Sequence, residues 1–339
     1  MKGTLATGAE GGGLTGDCLV VAGPTASGKS AFAVALAREF GGEVVNADSM
    51  QVYRDLSILT ARPTEAEMGG VPHHLYGLLG ADAPCTAGRW LGWMHDLLPE
   101  IWANGRLPVV VGGTGMYLGA LIDGLAPVPE IPPEVREAVT ADYAAMGAAA
   151  FAAELAARDP ISAAAIPPTN RQRMIRAMEV ARHTGRALSA WQADPHVGGL
   201  AKPPVVIVLD PAREWLYARC DARFDTMLDG GAWHQVEVAM AAGISPDAPV
   251  CRGLGTRALM AALKGEMEVP AAVERAKRET RNYAKRQKTW FRHQFNPDVV
   301  LRPPHDLPES PEVLGKVAEI LRSRRAGGRK SSAPEGRDE

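Results

Sequence analysis

Cysteine is scarce in this chain and none of it is paired: Cys18, Cys85, Cys220 and Cys251 lie far apart, with no CxxC. That spacing excludes a zinc knuckle built on paired cysteines and fits a reducing cytoplasm. Charge of either sign is not in excess, with 37 Lys and Arg against 39 Asp and Glu. A polyanionic partner must therefore be argued from local clusters. Long apolar runs are missing as well: none approaches the ~20 residues of a membrane span. The first sixteen residues are rich in Gly and Thr, lack the apolar segment of a signal peptide, and read as a disordered leader. There is no internal repeat. The adjacent His73 and His74 would point to different sides of any regular element, which argues against a shared metal ion.

What is present is enough apolar material, 46% of residues, for one large or two ordinary domains. Three β-branched runs, Leu19–Ala22, Glu43–Ala47 and Pro108–Val111, end in small or polar residues and neighbour helical patterns such as Ala31–Phe40 and Trp90–Asn104. Strands alternating with helices predict an α/β fold with a parallel sheet. A fourth run, Pro204–Leu209, follows after a Pro-rich passage and Ala-rich helical segments, which read as a helical insertion. A long helix pattern returns over Pro270–Phe295. The expected organisation is a leader (1–16), a first part of the core (17–126), the insertion (127–200), a second part of the core with helices (201–324) and a disordered tail (325–339).

Gly23-Pro24-Thr25-Ala26-Ser27-Gly28-Lys29-Ser30 matches G-x-x-x-x-G-K-[ST], with an apolar strand before it and an amphipathic helix after it. Glycines let backbone N–H groups converge on phosphate oxygens, and the helix start adds its positive dipole end. Lys29 supplies a point charge, and the Ser30 hydroxyl is a candidate ligand for Mg²⁺. An ATPase normally carries an acid at the end of a later strand to hold Mg²⁺. Here Pro108–Val111 runs into Gly112-Gly113-Thr114-Gly115, with no acid, so another diphosphate chemistry is favoured.

Ligands of an open parallel sheet sit beyond the carboxyl ends of its strands. Asp48 and Thr114 fall there. Asp48 reads either as the N-cap of Ser49–Tyr53 or as a general base. Thr114 reads as a turn residue or as a hydrogen-bond donor near a leaving oxygen. Arg219 and Arg223, four apart on a helix beginning near Ala212, are either solvated and acid-paired or phosphate-binding. Arg278, Arg281, Lys285, Lys288 and Arg292 form a continuous basic stripe, a solvated face or a polyanion contact. Arg173 and Arg176 project together beside the apolar Met174, Met178 and Ala181.

Taken together, these strings resemble the bacterial tRNA dimethylallyltransferases, also called isopentenyltransferases. The matching segments are GPTASGKS (Gly23–Ser30), ADSMQVY (Ala47–Tyr53), TARP (Thr60–Pro63), PHHL (Pro72–Leu75), VGGTGMY (Val111–Tyr117), RQRMIRAMEV (Arg171–Val180) and YAKRQKTWFR (Tyr283–Arg292), in family order. The resemblance implies a P-loop core with a helical insertion. It also implies transfer of a five-carbon allyl group from dimethylallyl diphosphate to the exocyclic amino nitrogen of the adenosine 3′ of the anticodon in tRNA. On that basis Gly23, Thr25, Ala26, Ser27, Gly28, Lys29 and Ser30 hold the donor diphosphate with Mg²⁺ assisting. Asp48 is the base, Thr114 the active-site threonine and Arg223 the diphosphate clamp. Family tRNA contacts fall on Asp48, Ser49, Met50, Gln51 and Thr114, on Arg136, and on Gln172, Arg173, Met174, Ile175 and Arg176. A last set falls on Arg252, Gly253, Leu254, Gly255, Thr256 and Arg257. Two positions depart from the pattern: Arg62 stands where Lys is common, and Thr256 where an aromatic is common, so no stacking contact is assumed there. The missing Cys/His pairs mark the bacterial rather than the eukaryotic kind.

Three rivals remain. A small-molecule kinase would use the same loop with ATP, an adenine-nucleotide isopentenyltransferase would use a smaller acceptor, and an RNA-binding protein would carry a degenerate loop. The acid-free VGGTG strand end and the YAKRQKTWFR helix speak against the first, the insertion against the second. The complete loop with Asp48 and Thr114 speaks against the third. A cytoplasmic monomer that acts on no membrane is expected.

Overall fold

Aliphatic runs too short for helices become strands, and the central ones are buried on both faces. In the computed structural model, which describes residues 13–306 and 310–329, β1 is Leu19–Ala22, β2 Gly42–Asn46, β3 His73–His74, β4 Leu107–Gly112, β5 Val205–Leu209 and β6 Val299–Leu301. They form one parallel sheet in the order β3-β2-β4-β1-β5-β6. β1 therefore lies between β4 and β5, and everything that follows these three strands opens at one edge of the sheet. β3 and β6 were not legible as strands: two histidines, and three residues among charges and prolines, are too short to carry a period.

The chain divides into two compact units, one of them Asp123–Gly199 and the other formed by the chain on either side of it. Around the sheet run α1 (Lys29–Phe40), α2 (Glu65–Met68), α3 (Ala87–Ala103) and α4 (Gly115–Asp123). The smaller unit holds α5 (Pro133–Arg158), α6 (Pro160–Ala165), α7 (Arg171–Thr184) and α8 (Leu188–Gln192). Back in the sheet unit come α9 (Arg213–Asp229), α10 (Ala232–Ala241), α11 (Thr256–Leu263), α12 (Val269–Gln294) and α13 (Pro311–Arg329).

Leu19, Val21, Val44, Val109, Val111, Ile207 and Leu209 alternate onto one face of the sheet and meet Phe32 and Leu36 of α1 and Val317 and Leu321 of α13. Period-two strands thus supply one half of a core and period-3.6 helices the other. α5 is interrupted at Gly147, whose φ of 76° no β-carbon-bearing residue adopts without strain. The smaller unit has its own core of Val139, Phe151, Leu155, Met174, Ile175 and Met178.

Residues 1–12 and 330–339 of the expected leader and tail lie outside the described residues. The flanks of both expectations need correction. Leu14 is buried and bridges to Leu200, and α13 runs to Arg329 rather than ending before 325. Ion pairs explain both: Arg324 pairs with Asp298, while Arg325 and Lys202 share Asp17. A composition without apolar residues conceals such partners.

Candidate functional site

Beyond β1 the chain makes the turn over Gly23–Gly28 and enters α1. Gly28 takes φ 93° and Ala26 φ 64°, so two left-handed residues curl the backbone before the helix. The curl is closed by Ser27 N–H to Pro24 C=O at 3.3 Å. Lys29 Nζ reaches back toward the Pro24 carbonyl at 3.4 Å. Two arginines from α9 grip this glycine loop from outside. Arg219 Nε donates to Ala26 C=O at 3.0 Å, and Arg223 donates to the Thr25 hydroxyl. Arg219 also lies over the Trp215 ring at 4.7 Å. Of the two arginines read from the sequence, both therefore belong to the loop, and neither is spent on the neighbouring acids. Burial lowers the Lys29 pKa to about 8; the Arg223 charge pushes the same way, and Asp48 partly opposes. Burial likewise lowers the pKa of Arg223, with Cys220 and Asp48 opposing.

The second loop leaves β2. Asn46, fully buried, receives the Asp48 N–H at 2.8 Å on its Oδ1 and gives its Nδ2 hydrogens to the carbonyls of Asp48 and Leu75 at 3.1 and 3.0 Å. This fixes where Asp48 leaves the strand. The Asp48 carboxylate accepts the Met50 N–H at 2.9 Å. That is the local bond of a cap, yet Ser49–Tyr53 is a turn and not the helix that an N-cap reading required. Asp48 is therefore an Asx-turn residue with one oxygen left over. Its charge acts on both Lys29 and Arg223, so the two loops share one electrostatic site.

Thr114 leaves β4 in the third loop. Its hydroxyl accepts the Ser49 N–H at 2.9 Å and donates to Ser49 Oγ at 3.2 Å. The loops touch this closely because position 112 is glycine: a β-carbon there would sit 2.1 Å from the Ala47 carbonyl.

α12 closes the arrangement. Gln287, 5% exposed, accepts the Thr25 N–H at 2.8 Å and donates to the Gly113 carbonyl at 2.7 Å. Trp290 lies against Gly115, where a β-carbon would meet its ring at 2.2 Å. The stripe on this helix is less free than its sequence suggests. Arg281 pairs with Asp221 and Glu274, and Lys288 and Arg292 both pair with Asp210. Three of the five cations are thus paired, while Arg278 and Lys285 have no acidic partner among the described residues. Asp210 follows β5 and Asp221 lies on α9, which a reading of one helix face cannot find; Glu274 lies on α12 itself, two turns before Arg281. Lys285, with Arg286, Trp290 and His293, lines an open cleft of about 530 Å³.

The Arg252–Arg257 segment abuts the Asp48 turn: a β-carbon on Gly253 would sit 3.5 Å from Met50 Cε. Arg252 and Arg257 are exposed, and Arg257 donates to the Pro246 carbonyl at 2.9 Å. Leu254 is half-buried. Thr256 is fully buried, so its side chain is not presented to a ligand. Gly255 before it has φ 88°, and a β-carbon there would press on Phe224 and Ala276 at 2.9 Å. Gln51 gives its amide to the carbonyls of Thr60 and Ala61 at 3.1 and 2.7 Å. Arg62 is likewise used, donating to the Tyr53 carbonyl at 3.0 Å.

In the smaller unit, Gln172 and Arg173 are exposed, while Met174 and Ile175 are core residues whose side chains do not face outward. Arg136 makes two bonds to Glu179, at 2.8 and 2.9 Å, and Arg176 a third at 2.7 Å. Glu179 is fully buried, so one hidden carboxylate orients two outer guanidiniums. The sequence reading named both arginines and missed the acid.

Among the described residues no group of three acidic, His or Cys side chains could hold a metal ion. His73 and His74 are engaged separately, with the Val71 carbonyl at 2.8 Å and Glu43 at 2.7 Å. No described helix is long and apolar enough to cross a membrane.

Comparison with known proteins bears on the family and the fold. The family model described as IPP transferase matches residues 51–294, and the model described as isopentenyl transferase matches residues 16–76. The tRNA dimethylallyltransferase of Parvibaculum lavamentivorans is 53% identical over 280 residues, covering 83% of this chain and 89% of that one. The crystal structure of the tRNA isopentenylpyrophosphate transferase from Bacillus halodurans superposes with a TM-score of 0.67 at 32% identity, covering 93% of this chain and all of that chain. The corresponding transferase from Staphylococcus epidermidis gives a TM-score of 0.65 at 30% identity over 91% of this chain.

Proposed function

Because the chain belongs to the IPP transferase family, whose curated members are tRNA dimethylallyltransferases, we propose that it transfers a dimethylallyl group from dimethylallyl diphosphate to the exocyclic amino nitrogen of the adenosine 3′ of the anticodon in tRNA. The observation that carries this reading is geometric: Arg219 and Arg223 of α9 grip the glycine loop, and the Asp48 and Thr114 turns, joined through Ser49, stand beside it at the ends of neighbouring strands.

In the proposed step the adenine nitrogen forms a bond to the allylic carbon while the carbon–oxygen bond to diphosphate breaks. The diphosphate leaves with the electron pair. Asp48, whose second oxygen is not used by the Met50 N–H, accepts the proton from the nitrogen. Negative charge grows on the leaving group, and Lys29, Arg223 and the start of α1 oppose it more in the transition state than before it. Thr114 orients this corner through Ser49. The base must leave its stack to reach a sheet edge, so a flipped adenine is expected.

The donor set fits Mg²⁺. Ser30 offers a hydroxyl in the first turn of α1, and Mg²⁺ prefers one or two protein oxygens plus substrate phosphates. When bound it would neutralise charge on the diphosphate. RNA contacts are assigned to Arg252 and Arg257 in the sheet unit and to Arg136, Gln172, Arg173 and Arg176 in the smaller one. The protein is proposed to work as a monomer in the cytoplasm.

The test is mass spectrometry of tRNA nucleosides before and after incubation with dimethylallyl diphosphate, which should show a new prenylated adenosine. Lys29→Ala and Arg223→Ala should raise the donor KM while tRNA affinity stays nearly unchanged. Loss of tRNA binding with an unaltered donor KM would overturn the assignment of that residue. A kinase would instead hydrolyse or transfer phosphate from labelled ATP.

A further inference from the structure

We propose that Gln287 is a positioning residue that holds the donor loop and the acceptor loop at reacting distance from each other. The inference rests on the transferase reading given above and deepens it.

Three loops make the site, and their backbones have few direct ties. The Asp48 and Thr114 loops are joined to each other by the Ser49–Thr114 bonds and by Thr114 N–H to Ala47 C=O at 3.3 Å. Among the described residues the glycine loop has no such loop-to-loop backbone bond to either. Past the strand pairing that ends at Ala22 and Gly112, its link to them among the described residues runs through the Gln287 amide, with Thr25 N–H on its oxygen and Gly113 C=O on its nitrogen. Both bonds are short, and the residue is buried, so the amide cannot exchange these partners for water without cost.

Position 113 shows how close the approach is. A β-carbon there would lie 2.2 Å from Gln287 Nε2 and 3.5 Å from the Gly23 carbonyl, so glycine is what admits the amide. An amide suits this task because it offers a donor and an acceptor in one rigid plane, and no apolar or singly functional side chain offers both. Gln287 lies between Ala284 and Phe291 on the buried stripe of α12. The helix itself is pinned beyond β5 by Lys288 and Arg292 on Asp210. The amide is thus mounted on a fixed support, and beyond the paired strand ends Ala22 and Gly112 it sets how the two loops face each other. The Gln287 amide is engaged by Thr25 and Gly113, so the effect proposed for it is geometric.

Gln287→Leu removes both bonds, and Gln287→Asn keeps both groups on a chain one methylene too short to span them. In full-length protein, each is expected to lower kcat about tenfold to a hundredfold, the order that a misplacement of ~1 Å produces. The affinity for inorganic diphosphate, measured by calorimetry, should stay within about threefold, because Lys29 and Arg223 remain. Gly113→Ala, which displaces the amide from the other side, should reproduce this split. A kcat near the wild-type value in folded Gln287→Leu would overturn the proposal, as would equal loss of kcat and diphosphate affinity. If neither Gln287 variant folds, the side chain is a pillar of the core and the proposal is likewise overturned. A wild-type protein that forms no prenylated adenosine would overturn the transferase reading itself, an outcome distinct from active wild type with active variants.

Discussion

At the scale of single residues, the site concentrates charge where the fold would otherwise avoid it. Lys29 has its pKa lowered to about 8 by burial first and by Arg223 second. Since kcat/KM reports the free enzyme, donor kcat/KM should fall above pH ~8 as the ammonium loses its proton. Removing the like charge with Arg223→Gln should move that limb to higher pH; a limb that stays in place would assign it to another group. The linkage to stability has a definite sign. Between about 8 and the ordinary lysine value the unfolded chain binds more protons than the folded one, so stability rises with pH across that window. Below it the buried ammonium is a standing cost, and Lys29→Met should raise the Tm at pH 7 while abolishing use of the donor. Asp48→Asn separates two roles, because asparagine still accepts the Met50 N–H but takes no proton. Turnover should fall on the order of 10²–10⁴ with little change in Tm; unchanged turnover with a lower Tm would make Asp48 a turn residue only. The glycine loop, Asp48 and Thr114 were legible because each stands at a strand end in a recognisable string. Asn46 was not, since an asparagine after two valines looks like the end of a strand rather than the anchor of the next loop.

At the scale of elements, α12 shows why a helix face read alone misleads. Its cations sort mainly by partners on other elements: Asp210 takes Lys288 and Arg292, and Asp221, with Glu274 of the same helix, takes Arg281. Lys285→Gln and Arg278→Gln should each make the slope of log tRNA affinity against log salt shallower by about 0.7–0.9. Arg281→Gln should leave the slope alone and lower the Tm, and a reversed pattern would overturn this division. The apolar stripe of the same helix, Ala272, Ala276, Thr280, Ala284, Gln287 and Phe291, contained a signal that reading its cations passed over. A glutamine among buried small residues must find hydrogen-bond partners somewhere. α7 offers a test of opposite sign. Glu179→Gln removes a negative charge, so electrostatics alone would tighten RNA binding. If the carboxylate serves to orient Arg136 and Arg176, binding should weaken, and tighter binding would show that orientation is unimportant.

At the scale of the whole molecule, alternation of strand and helix gave away the parallel sheet, and the Pro-rich passage gave away a separate helical segment. The order of strands was not legible, because it depends on which faces pack and not on any one segment. Since the smaller unit has its own core, Phe151→Ala should destabilise it by about 3–5 kcal/mol. It should weaken tRNA binding while inorganic diphosphate binding in the sheet unit persists; joint loss of both would show that the two units unfold together. The bond between Thr25 and Gln287 joins positions 262 residues apart. On a ribosome adding ~5–20 residues each second, the glycine loop waits for many seconds before the side chain that sets it has been made. Translation that stops anywhere before α12 therefore releases a glycine loop without the side chain that sets it against its neighbour.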